Sequence, residues 1–97
     1  METKEILEKA IYEYGPDKQI IVAIEEMSEL QKELCKYFRY GTDLQRVKNI
    51  AEEIADVSIM LEQLKIIFQC GHEVDAQQEK KLLRLADNIG IKRRPWL

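Results

Sequence analysis

The chain has 97 residues, 45% hydrophobic and 34% charged, with a formal net charge of −3. That is one small domain, and 4 Gly and 2 Pro among so many charges favour helices over a sandwich or barrel. No uncharged apolar run is long enough to span a bilayer, and the excess of acids argues against nucleic-acid binding through a broad basic face.

Punctuation and periodicity predict four helical segments. The first runs from about Lys4 to Tyr14, where Ile6, Leu7, Ala10, Ile11 and Tyr14 recur at steps of three and four. Gly15-Pro16-Asp17 ends it and opens the second, since proline suits a first helical position and Asp17 the positive end of the helix dipole. The second runs from about Pro16 to Tyr40 with a seam of Ile20, Ala23, Met27, Leu30, Leu34 and Tyr37, and Gly41 stops it. Thr42 or Asp43 then caps a third segment that continues to about Gln69, before Gly71. Its seam is Ile50, Glu53, Val57, Met60, Leu64 and Ile67, and a second stripe of Val47, Ile54, Leu61 and Phe68 repeats every seven residues. From Ile54 to Phe68, 10 of 15 residues are apolar, so this helix must be covered on more than one side. One small protomer lacks the material for that, which predicts an all-α helical bundle of about four helices whose core is completed by dimerisation. The fourth segment spans about Val74 to Asn88, with Leu82, Leu83, Leu85 and Ala86 as its apolar positions, and residues 91–97 follow as a tail of the same single domain.

Two acid clusters interrupt this pattern. Glu25-Glu26-Met27-Ser28-Glu29 lies on the second segment and Glu52-Glu53-Ile54-Ala55-Asp56 on the third, at similar sequence distances from Gly41. Each contains an acid pair three residues apart, Glu26 with Glu29 and Glu53 with Asp56, which places each pair on one helix face. If the two segments pack antiparallel across the short turn, all four carboxylates fall at one height. Acid pairs are common on solvated helix faces; Glu53 differs because it stands within an apolar seam, where a carboxylate needs compensation. No base follows it within four positions, and the nearest before it is Lys48. A divalent cation is the compensation that fits. Carboxylate oxygens suit Mg²⁺, with Mn²⁺ an acceptable substitute, rather than zinc. A di-iron bundle site would need Glu-x-x-His motifs, and the single histidine, His72, is placed by this reading in the loop after the third helix. Mg²⁺ held by carboxylates leaves positions for water and phosphate, which points to phosphoryl or nucleotidyl hydrolysis.

The pattern Glu25-Glu26-x-x-Glu29-Leu30 followed by Glu52-Glu53-x-x-Asp56 resembles the MazG-like all-α nucleoside triphosphate pyrophosphohydrolases, over roughly Asp17 to Asn88. The resemblance implies a helical homodimer or homotetramer and Mg²⁺-dependent cleavage of a nucleoside triphosphate to monophosphate and pyrophosphate. It assigns the metal-ligand and catalytic roles to Glu26, Glu29, Glu53 and Asp56, with Glu25 or Glu52 as a supporting ligand or water-orienting acid. It also implies basic residues on the following helix, here Lys81 and Arg84, contacting the phosphates; Asn88 is a candidate amide beside them. A phosphoribosyl-ATP pyrophosphohydrolase shares the size and acid pattern, and a helical interaction dimer whose acids bind nothing is the non-enzymatic alternative.

The remaining features are weaker. Tyr37, Phe38 and Tyr40 offer rings for a nucleobase, with core and dimer packing as the plainer role. Cys35 and Cys70 read as buried small hydrophobes. Lys92-Arg93-Arg94 with Trp96 reads as a solvated tail, with contact to an acidic partner as the other possibility. The first residues, Met1-Glu2-Thr3-Lys4-Glu5, lack the apolar run of a signal peptide, so a cytoplasmic location is expected.

Overall fold

In the computed structural model, which describes residues 1–92, the chain is all-helical: α1 (Thr3–Tyr14), α2 (Pro16–Tyr40), α3 (Leu44–Ile67) and α4 (Gly71–Asn88). Residues 93–97, which hold most of the basic tail with Trp96, lie outside the described part. None of the helices is long and apolar enough to cross a membrane among the described residues.

Local chemistry sets the boundaries. Gly15 alone separates α1 from α2, at φ 90°, a left-handed backbone that residues with a Cβ avoid, and Pro16 starts the next helix. Gly41 breaks α2 at φ 78°, and the Asp43 side chain caps α3 by accepting from the Arg46 backbone N–H at 2.7 Å. The end of α3 falls two residues earlier than the sequence suggests. Gln69, not Gly71, takes the left-handed position at φ 51°, and the Cys70 N–H closes back on the Lys65 carbonyl at 3.1 Å. Gly71 is then free to begin α4, which puts His72 in its first turn rather than in a loop.

α2 and α3 form a long antiparallel hairpin, α1 lies against both, and α4 touches α3 alone. Leu7, Ala23 and Met60 are the buried apolar side chains, together with the amides of Gln19 and Gln63. Gln19 Nε2 donates to Gln63 Oε1 at 2.7 Å, and Gln63 Nε2 turns to the Met60 sulfur at 3.8 Å. This bond fixes the hairpin register. Gln19 and Gln63 stand 22 residues to either side of Gly41, Glu26 and Asp56 stand 15, and Glu29 and Glu53 stand 12.

The α3 seam is as the sequence predicts: Ile50, Glu53, Val57, Met60, Leu64 and Ile67 are all buried or half-buried. The predicted α2 seam holds over its first four positions, Ile20, Ala23, Met27 and Leu30 being buried or half-buried, and fails toward the hairpin tip, where Leu34 and Tyr37 are exposed. Gln19, Glu26 and Glu33 are buried or half-buried beside it. Cys35 is exposed rather than buried, because it falls on the outer side of α2; Cys70 is half-buried. Tyr37 and Phe38 meet edge-on at 5.1 Å outside the protomer core, and Phe38 is 85% exposed.

The Gln19–Gln63 bond is the register lock for the acids. Gln19→Ala should destabilise the protein by about 1–3 kcal/mol in urea unfolding, because it orphans a buried amide. Replacing both glutamines by leucine should recover much of that loss.

Candidate metal centre

Because the helices run antiparallel from Gly41, the acids of α2 and α3 meet at one height. Glu26, Glu53 and Asp56 each bring a carboxylate oxygen within 4.8 Å of the others, with Glu26 and Glu53 half-buried and Asp56 exposed. Glu29 is exposed and outside this triad, yet close enough that its charge acts on both Glu26 and Glu53. Glu25 and Glu52 are exposed, and Glu52 adds to the negative field at Glu53.

The electrostatics are those of like charges held together. Burial is the main force raising the Glu26 carboxyl above its ordinary range, followed by the charges of Asp56 and Glu53, hydrogen bonding with Asp56, and Glu29. Glu53 is raised by burial first, then by Asp56, Glu29, Glu33 and Glu52. Among the described residues, the buried carboxylate oxygens without a hydrogen-bond partner are Glu53 Oε2 and Glu33 Oε2. A buried, unpaired carboxylate oxygen is costly in a seam unless a cation or proton reaches it.

Glu33 is the acid that sequence reasoning missed. It lies seven residues, two helical turns, beyond Glu26, so it shares the stripe; its signal was the continuation Glu26…Glu33 at heptad spacing. Its Oε1 accepts from Lys36 Nζ at 3.1 Å.

Lys81 and Arg84 are exposed on α4, and the helix that carries them contacts α3 but not α2. The charges acting most on Glu26 and Glu53 are acids rather than either of these cations. Asn88 is the last residue of α4 and exposed. The protomer therefore assembles the acids but does not bring these three candidates into the cluster.

The donor set is uniformly carboxylate oxygen, which fits a hard divalent cation such as Mg²⁺ or Mn²⁺. The orphaned Glu53 Oε2 is the structural observation in favour of that fit. Compared with family models, with curated proteins and with solved structures, the chain has no match.

A pH dependence follows from the raised carboxyls. Between the unfolded carboxylate range and the raised folded values, the folded state binds more protons, so stability falls as pH rises through that window. The melting temperature of metal-free protein should therefore climb as pH is lowered from neutrality toward the ordinary carboxylate range. Glu53→Gln should flatten this slope. The stabilisation given by Mg²⁺ or Mn²⁺ should run the opposite way, shrinking toward acid pH as protons compete for the same oxygens.

Proposed function

We propose that the protein is a Mg²⁺-dependent nucleoside triphosphate pyrophosphohydrolase acting as a homo-oligomer in the cytoplasm. The observation that carries this reading is the triad Glu26, Glu53 and Asp56 converging in the α2–α3 seam, with a buried Glu53 oxygen left without a partner. Glu26 and Glu53 are half-buried rather than fully solvated, and helix register holds them beside the exposed Asp56.

Glu26, Glu53 and Asp56 would hold the cation, with Glu29 adjoining. A cation bound there supplies charge neutralisation at the phosphates and a lowered pKa for the attacking water. The chain's own part is to fix the oxygens on paired helices and to keep the negative cluster half out of solvent, where its field is strongest. A carboxylate of the cluster takes the proton as water oxygen bonds to the α-phosphorus and the bond to the bridging oxygen breaks, releasing pyrophosphate.

Homo-oligomerisation is supported by uncovered surface. The chain presents 8145 Å² to solvent, whereas a compact monomer of this mass presents about 5,800 Å². Its Cα radius of gyration is 17.1 Å, against about 12–13 Å for a compact chain of this length. Val47, Ile54, Leu61 and Phe68, the heptad stripe of α3, are 45–62% exposed, and α4 leaves Leu82 and Leu85 open as well. An apolar stripe of this regularity suits a second copy of the same helix better than water.

Two experiments test the reading. A panel of canonical and modified triphosphates, with phosphoribosyl-ATP alongside, is scored for pyrophosphate release in Mg²⁺. Glu53→Gln and Asp56→Asn should each lower kcat by about 100-fold or more, the scale of removing one electrostatic catalytic group; wild-type rates in both variants would refute the site. Leu61→Glu with Phe68→Glu should convert the oligomer to monomer in analytical ultracentrifugation.

A further inference from the structure

Among the described residues, a cation that pairs with a seam acid is Lys36, which lies on the hairpin rather than on α4. Lys36 follows Glu29 by seven residues, two turns along the same stripe of α2. Helical side chains lean toward the helix N-terminus, which for α2 is the direction of the acids. The ammonium follows that lean, with Nζ 3.1 Å from Glu33 Oε1. This pair differs from the protein's other described ion pairs. The Glu33 side chain is 13% exposed, against 51–55% for the acids that pair with Lys4, Lys9 and Lys65. Glu33 also keeps Oε2 buried without a partner, and its charge reaches Glu53. Lys36 itself remains 38% exposed, so a ligand can approach it from solvent.

Arg46, opposite Lys36 in the hairpin register, is already committed elsewhere. Its Nε donates to the Gly41 carbonyl at 3.3 Å, and its guanidinium carbon stands 5.6 Å from the centre of the Tyr40 ring. It leans toward the N-terminus of its own helix, hence toward the hairpin tip and away from the acids.

Resting on the pyrophosphohydrolase reading, we infer that Lys36 binds the terminal phosphates of the triphosphate, with Glu33 holding its ammonium on the hairpin between Glu53 and the turn at Gly41. A compact ammonium on a flexible stem suits a phosphate chain with many equivalent oxygens. In the free protein Glu33 occupies the ammonium; a triphosphate reaching past the Glu26–Glu53–Asp56 cluster supplies a stronger anionic partner to the same group. Recognition by Lys36 therefore scales with phosphate number, and a monophosphate does not reach it.

The test is calorimetric binding, in Mn²⁺, of a nucleoside triphosphate whose α–β bridge is a non-hydrolysable methylene, beside the corresponding monophosphate. Lys36→Met should weaken the triphosphate analogue by about tenfold or more, the value of one charge-assisted contact. It should leave the monophosphate and Mn²⁺ alone undiminished, and Lys36→Arg should retain most of the affinity. Glu33→Gln combined with Lys36→Met removes the pair without leaving an extra anion, and carries the same comparison should the single variant fail to fold. Triphosphate binding at wild-type strength in both the single and the double variant, or an equal loss for the monophosphate, would overturn the inference alone. Wild-type protein that binds no triphosphate with Mn²⁺ would remove the hydrolase reading and the inference together.

Discussion

The organising constraint is that the α2–α3 seam, where a helical hairpin normally buries apolar side chains, is built partly from carboxylates. Glu26 and Glu33 on one helix and Glu53 on the other occupy interior positions, and their neighbours along the seam include Ala23, Leu30, Val57 and Met60. Like charges in a half-buried seam oppose the pairing of the two helices, so the pairing must be secured elsewhere. It is secured by Met60 and Ala23 packing, by the Gln19–Gln63 bond at the end far from the turn, and by α1 laid across both helices.

The same constraint explains where the apolar residues of α2 and α3 went. With acids turned inward, Leu34 and Tyr37 of α2 are displaced to the outside, and among the described residues the α3 heptad stripe is left about half exposed. A chain with three buried apolar side chains among its described residues has little core of its own. Covering the stripe with another copy would supply the missing burial and stiffen the frame on which the acids are mounted. On that view site and assembly are one problem: the seam tolerates charge because apolar surface elsewhere does the stabilising.

Much of this was legible in the sequence, and the parts that were not have physical reasons. The four helices follow from period and from Gly15, Pro16, Gly41 and Asp43, each acting through backbone geometry or a cap. The convergence of Glu26, Glu53 and Asp56 follows from spacing about Gly41, because an antiparallel hairpin maps sequence distance onto height. The last third of the α2 seam was not legible: apolar spacing puts Leu34 and Tyr37 inside, and only the packing against α3 leaves them exposed with Glu33 half-buried instead. Gln19 and Gln63 look like surface residues until they are seen to satisfy each other. Gln69 in a left-handed conformation moves the start of α4 forward, since a Schellman-type closure can override the usual preference for glycine. The expected placement of Lys81 and Arg84 near the acids required α4 to run along the acid seam, whereas it touches α3 only and leaves both side chains exposed.

Mounting the acids on paired helices rather than on loops has a thermodynamic consequence. A flexible loop could splay its carboxylates apart and relieve their repulsion, so a cation would have to gather them again on binding. Here the register fixes Glu26 opposite Asp56 and Glu29 opposite Glu53, and the helices cannot slip by a turn without breaking the Gln19–Gln63 bond. The repulsion is then a standing feature of the folded state, and it adds to burial, the larger cause, in raising the proton affinity of Glu26 and Glu53. Any cation that binds there relieves it without first ordering the chain, and the Lys36 ammonium already does so in part at Glu33. A cation held by this cluster would thus draw its affinity from the same repulsion that destabilises the metal-free fold.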